Sequence, residues 1–302
     1  FHADMVAGPN LDENILKHLE RGKVVSATRV EPPLHPEGPE KITKNFGIEA
    51  KEFDFEAWNE WCTNTGFYEE FAGKVTEGVF APWCMYKKDF LAIGGHDELF
   101  APQSREDSDL FNRMQLAGYK FIQPWSAVVY HFTSRGSRFN KHAGGDTMKD
   151  SPEWKNTNYK NSRNFVRKWG TLVTHDEYMK PSVAPKYDIG FVIKNCDDIV
   201  LKELEPWCST IYTDGEYMKY ITLEQPNTKY NLRDRIKTLD DEKNNDILIE
   251  FDGSLVNNTH MDFIMNLPYI ISDSGAIGTA EHDIFIINIQ SMKTYEKELL
   301  NA

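Results

Sequence analysis

The sequence predicts an α/β protein in two parts, on three observations. Strand-like apolar runs alternate with amphipathic helical stretches over the first 170 residues. Residues 171–186, with Pro181 and Pro185, then interrupt the pattern as a connecting segment. Beyond them, short apolar runs such as Asp246–Phe251 and Asp283–Ile289 alternate again with helical stretches. The expected division is a first domain at 1–175, a linker at 176–186 and a second domain at 187–302. At 40% hydrophobic and 13% aromatic residues, the 302-residue chain has enough apolar surface for real cores.

Phe1-His2-Ala3-Asp4 is an apolar start running into a turn that displays the Asp4 carboxylate. No initiator Met and no room for a strand precede it, so the chain reads as beginning inside a folded unit. A helix follows over Leu11–Arg21, with Asn10 as N-cap, Asp12 and Glu13 in the first turn and Gly22 beyond the end. Lys23–Val30 reads as one buried strand. Pro32, Pro33, Pro36 and Pro39 exclude helix and inner strand from the next stretch, which is a loop. Residues 51–72 are acidic and aromatic, with a helix at Phe55–Cys62. Their rings suit a helix packed on a sheet, or a wall on which a sugar stacks. After the apolar run Val79–Tyr86, a short helix at Lys87–Ile93 is stopped by Gly94-Gly95. Ser104–Asp109 opens a helix that Gly118 ends. Tyr119–Gln123 and Ala127–Phe132 are strands around Pro124-Trp125, with His131 at the end of the second. Residues 133–162, with Gly136, Gly144 and Gly145 as hinges, read equally as a lid beside a site or as a surface loop. Asn164–Gly170 is a short amphipathic helix.

In the second part, strands are expected at Tyr187–Ile193, Tyr217–Leu223, Asp246–Phe251 and Asp283–Ile289. Helices are expected at Ile199–Ile211, broken by Pro206, at His260–Ile271 and at Lys293–Leu300. The order β-α-β-β-α-β predicts a small ferredoxin-like α+β sandwich.

A net charge of −13 makes nucleic acid an unexpected partner. Nucleotide sugars remain open, because a bound cation supplies local positive charge. No apolar run reaches the ~20 residues that span a bilayer. Cys62, Cys84, Cys196 and Cys208 lack metal or redox spacing and read as free thiols of a reducing, cytoplasmic compartment.

Four features of the first part could carry chemistry: Asp4, Gly94-Gly95-His96-Asp97, Glu106-Asp107 and His131. Each has a plain structural explanation. Asp4 could start a turn, the glycines stop a helix, His131 could be structural, and Ser104-x-x-Asp107 fits a capping box. Their order within one domain is what makes a site of them.

In that order, residues 1–170 resemble the catalytic half of family 2 inverting glycosyltransferases of GT-A fold. Phe1-His2-Ala3-Asp4 is similar to a variant DxD motif in which a strand ends in His-Ala-Asp. Gly94-Gly95-His96-Asp97-Glu98 is similar to the family's Gly-Gly-Phe-Asp-Glu turn, with His for Phe. Glu106-Asp107 matches a Glu-Asp pair opening the following helix, and Phe165–Gly170 matches a Phe-x-x-Lys-Trp-Gly ending. His131 is similar to a late metal-ligand histidine of polypeptide N-acetylgalactosaminyltransferases. The resemblance implies a partial GT-A domain, with the main nucleoside-binding strands lying before Phe1. It also implies that this chain alone is inactive and binds a nucleotide sugar weakly.

The implied chemistry is transfer of a sugar, with inversion, from a nucleotide-sugar donor to a glycan, lipid-linked or protein acceptor. Asp4 would hold a divalent cation, Mn²⁺ or Mg²⁺, against the leaving diphosphate, with His2 and His131 as further ligands. Asp107 would be the general base and Glu106 its neighbour orienting the acceptor. Gly94, Gly95, His96 and Asp97 would meet the sugar, and Trp83 and Trp125 offer stacking faces, or are ordinary core tryptophans. The alternatives are a non-catalytic carbohydrate-binding or scaffold protein and a nucleotidyltransferase of similar fold. Asp4 and Asp107 on one cleft favour catalysis; on opposite sides they favour a binding module.

Overall fold

A computed structural model describes residues 1–134 and 138–300. The expected hinge at Gly136 lies outside the described residues. The protein is mixed α/β, with three sheets. No helix among the described residues is long and apolar enough to cross a membrane.

In the first part, the strands are β1 (Met5–Ala7), β2 (Lys23–Ser26), β3 (Thr28–Glu31), β4 (Lys41–Thr43), β5 (Val75–Thr76), β6 (Trp83–Cys84), β7 (Lys120–Pro124) and β8 (Val128–His131). They form two four-stranded sheets, ordered β1-β8-β3-β4 and β5-β7-β2-β6. Two chain passes run through both sheets side by side. One is β2 into β3, the other β7 into β8, and they pair in parallel on both sides of their kinks. The single strand expected at Lys23–Val30 is therefore two. The break falls at Ala27, whose N–H bonds to the Pro82 carbonyl instead of to either sheet's ladder.

The helices of this part are α1 (Leu11–Leu16), α2 (Phe55–Thr63), α3 (Thr65–Phe71), α4 (Lys87–Ala92), α5 (Glu106–Leu116) and α6 (Pro152–Trp169). Helix α1 is shorter than expected. Asn10 stands at its start in a left-handed conformation (φ 57°) without a side-chain cap. Helices α2 and α3 lay Trp58, Cys62, Phe67 and Phe71 on the β1-β8-β3-β4 sheet, against Val30, Val128 and Tyr130. The aromatic stretch thus forms a core, with Trp61 half-exposed at its margin.

The largest departure is α6. Where a loop was expected up to residue 162, an 18-residue helix begins at Pro152. The Ser151 hydroxyl accepts from the Trp154 N–H, proline occupies the first turn, and Gly170 (φ 76°) closes the other end. The polar composition of its first half hides a helix whose second half is buried between the two parts.

The second part corrects the ferredoxin-like expectation. Its strands are β9 (Ile189–Lys194), β10 (Thr210–Thr213), β11 (Ile236–Thr238), β12 (Ile247–Asp252), β13 (Gly278–His282) and β14 (Phe285–Ile289). They form one six-stranded sheet, β11-β10-β9-β12-β14-β13, whose first four strands are parallel. A ferredoxin-like sandwich is antiparallel. The error lies at Ile199–Ile211, which is a helix, α7 (Asp198–Leu204), a turn at Pro206 and then β10. Tyr217–Leu223, expected as a strand, lies in α8 (Met218–Glu224), and the expected last helix is a 3₁₀ turn at Glu296–Leu300. With α9 (Leu232–Arg235), α10 (Asn258–Met265) and α11 (Leu267–Ser274), these helices pack on the face of Phe191, Ile211, Ile249 and Ile287. The opposite face, at Val192, Tyr212 and Leu248, receives Leu239 from the β11–β12 connection.

Candidate active site

The expected site residues gather where β1, β8 and the start of α5 meet. Met5 pairs with His131 across the β1–β8 ladder, and the Phe132 N–H bonds to the Asp4 carbonyl at 3.0 Å. That register sets Asp4 beside His131, Oδ1 to Nε2 at 3.6 Å. On the other flank β3 runs parallel to β8, with Val30 opposite Tyr130, so the next residue, Glu31, meets His131. Its Oε1 lies 2.7 Å from His131 Nδ1.

His131 is therefore held between two carboxylates. Burial opposes its protonation, but the hydrogen bonds to Asp4 and Glu31 outweigh it and raise its pKa. Burial likewise opposes ionisation of Glu31. The bond to His131 and the charges of Arg29 (2.9 Å) and Lys41 (3.1 Å) prevail, and hold the carboxyl well below the usual range. With Nδ1 engaged by Glu31, Nε2 faces Asp4 and His2. A carboxylate behind a histidine fixes the ring and raises its basicity as a ligand. One ligand atom each from His2, Asp4 and His131 lies within 4.8 Å of the others.

Asp107 shares this cleft. Its Oδ2 is 3.5 Å from His2 Nε2. The capping box expected from Ser104 and Asp107 is not formed. Arg105 is the N-cap, left-handed at φ 75° and without a side-chain cap, which leaves Asp107 to point into the cleft. Next to it, Oε2 of Glu106 is buried with no hydrogen-bond partner among the described residues. Burial first, then the neighbouring Asp107 charge, raise the Glu106 pKa.

Two cavities of about 560 and 710 Å³ adjoin along His2, Glu106 and Asp107. The larger holds Asp4, His131, Arg138 and Trp154. The smaller holds Trp83, His96, Asp97 and Glu98. Asp97 reaches this wall while engaged elsewhere. Its Oδ1 accepts from the Leu99 N–H at 2.8 Å and its Oδ2 from Lys168 Nζ at 2.8 Å. Lys168, from the Lys-Trp-Gly ending, thus anchors the turn from behind, and the following Trp169 donates Nε1–H to Asp109 at 2.9 Å.

Gly94 and Gly95 correct an expectation, and Trp125 takes the core reading of the two left open for it. Gly94 and Gly95 line neither cavity. Their positive φ angles (83° and 68°) turn the chain after α4, and the Gly95 and Ile93 carbonyls accept from buried Arg113. Trp125 lies in the aromatic core, stacked on Phe71 at 5.8 Å and under Lys74 at 3.4 Å, away from the cleft. Among the residues that escaped the sequence reading are Arg138 and Trp154, on the cleft wall, and Glu31, behind His131. Glu31 had one local signal, a carboxylate two residues from Arg29 at the end of a buried strand. Arg138 lies over Trp154 at 4.8 Å and bonds to Asp150 at 2.6 Å, a contact set by α6, which was not foreseen.

No protein-family model matches this chain, and no curated protein matches its sequence.

Proposed function

We propose that this cleft belongs to a glycosyltransferase with a GT-A-like catalytic part, moving a sugar from a nucleotide-sugar donor to a hydroxyl acceptor with inversion. One observation carries the reading. The His2–Asp4–His131 group and the Asp107 carboxylate open on the same cleft, which a non-catalytic binding module does not require. The donor set fits a divalent cation, since two imidazoles and a carboxylate suit Mn²⁺ better than Mg²⁺. Bound there, the cation would supply positive charge for the departing diphosphate.

The residues of the chain divide the remaining work. His2, Asp4 and His131 hold the cation, and Glu31 fixes the His131 ring. Asp107, at the seam of the two cavities, accepts the proton of the attacking hydroxyl. Glu106 keeps an unpartnered oxygen within reach of the acceptor. Trp83 and His96 bound the acceptor side.

Electron paramagnetic resonance titration of this chain with Mn²⁺ tests the cation site. One bound ion per chain is expected, lost in His131→Ala; unchanged binding in that variant rejects the site. Sugar transfer by the protein tests the base. Asp107→Asn should lower turnover by about 10²–10⁴-fold with Mn²⁺ binding intact. Undiminished turnover rejects Asp107 as the base.

A further inference from the structure

A further cavity, of about 680 Å³, lies outside the cleft and shares no residue with it. Its volume falls within the ~300–1,000 Å³ of small-ligand sites. It is formed between the 44–54 loop and the outer face of α2, with half-exposed Trp61 as its largest apolar surface. We infer that this groove is a sugar-binding subsite, separate from the cleft, in which a neutral oligosaccharide stacks on Trp61.

Three observations carry it. First, the platform is rigid. Trp61 is braced edge-on by Phe67 at 5.0 Å and tilted against Trp58 and Phe46, each at 5.7 Å. The loop opposite is pinned to β8, since the Phe46 N–H donates to the Tyr130 hydroxyl at 3.1 Å and that hydroxyl donates to the Gly47 carbonyl at 2.7 Å. A stacking face that does not move costs little ordering on binding.

Second, the rim offers both donors and acceptors. Asn45 uses its carbonyl oxygen on the Gly47 N–H, and Asn64 uses its own on the Phe67 N–H. Among the described residues nothing bonds to their NH₂ groups, which remain donors. Asp54 spends one oxygen on the Ala57 N–H and Glu52 one on the Glu49 N–H, leaving the second oxygen of each as an acceptor. The Glu60 carboxylate has no partner among the described residues. Mixed donors and acceptors around an aromatic face match a sugar, whose hydroxyls do both and whose C–H face carries the partial positive charge that a ring attracts.

Third, the charges select a neutral ligand. Glu52, Asp54 and Glu60 outnumber the one cation, Lys44, and so repel phosphate and acidic sugars.

Titration of this chain with neutral pentasaccharides of glucose, mannose, galactose and N-acetylglucosamine tests the inference. Tryptophan fluorescence and saturation-transfer NMR are the readouts, with a lysine-rich nonapeptide and inorganic pyrophosphate as the other arms. Saturable binding of at least one pentasaccharide is expected, weakened about tenfold or more by Trp61→Ala with Mn²⁺ affinity unchanged. If Trp61→Ala does not fold, Glu60→Ala, on the exposed face of α2, should weaken binding about threefold, one hydrogen bond's worth. His131→Ala should leave it unaltered. The inference is overturned when no pentasaccharide binds, when binding persists in both groove variants, or when the peptide or pyrophosphate takes the groove instead. Loss of sugar binding in His131→Ala also overturns it, because the sugar then sits in the cleft, and that result leaves the proposed enzyme untouched.

Discussion

Two regions of this molecule concentrate charge, and they are built in opposite ways. The cleft gathers His2, Asp4, Glu106, Asp107 and His131 around open volume, and one Glu106 oxygen there has no partner among the described residues. The seam between the two parts gathers Arg163 and Arg167 of α6 with Glu205, Glu224, Tyr220 and Arg235 of the second part, and closes over them. Glu205 alone accepts from Arg167 at 2.7 Å, from Arg235 at 2.7 Å and from the Tyr220 hydroxyl at 2.8 Å. Arg163 bonds to Glu224 at 2.9 Å and to the Lys202 carbonyl at 2.7 Å. Density of charge therefore does not distinguish a site from a joint. What distinguishes them is whether each charge is already answered by the protein. The seam leaves nothing for a ligand; the cleft does.

The strongest way to break that contrast is to remove the carboxylate at the centre of the seam. Glu205→Ala takes the central carboxylate from buried Arg167 and from Arg235 at its edge, and should cost about 3–5 kcal/mol. Urea denaturation measures it. A loss below about 1 kcal/mol, the value of an exposed pair, would mean the seam is solvated and the contrast false. Because the seam joins the two parts, the variant should also unfold in two transitions where the native chain unfolds in one.

Acid gives the same test without a substitution. Burial opposes ionisation of Glu205, but the Arg235 and Arg167 charges win and hold its pKa at about 2, below the ordinary 4.5. A depressed carboxyl contributes stability that is fully present above its unfolded-state pKa and lost as pH falls through the folded-state value. The loss should run from about pH 4.5 down to about 2. It should reach roughly 3 kcal/mol, at about 1.4 kcal/mol for each pH unit between the two values. Denaturation midpoints across this window should fall in the native chain and fall much less in Glu205→Gln. Equal slopes would remove Glu205 from the account.

The contrast also explains what could be read from the chain alone. The α/β class was legible because strand and helix periods are local, and Asp4, His131 and Asp107 stood out because each ends or opens an element. The partners were not legible. Glu31 and His131 are 100 residues apart, and Arg167 and Glu205 are 38 apart across a linker. Nothing local separates Trp83, on the cleft, from Trp125, in the core. Gly94 and Gly95 looked like a close approach to a sugar because a turn and a binding loop ask the same thing of a backbone, a positive φ. Strand β10 was lost because a helix, a proline turn and a strand in sequence read as one broken helix.

The smallest expected effect gives the finest test, because it separates the two regions through a residue that belongs in kind to both. Glu31 is buried and answered by Arg29 and Lys41, like the seam, yet it also holds the His131 ring, like the cleft. Glu31→Gln keeps the shape and removes the charge. If its part is to orient His131 and raise its basicity, Mn²⁺ affinity should fall about 10–100-fold, the usual cost of losing such an outer partner. Isothermal titration measures this, with the wild-type midpoint of denaturation as the control for folding. Normal affinity at reduced stability would place Glu31 with the structural charges and remove it from the cation site.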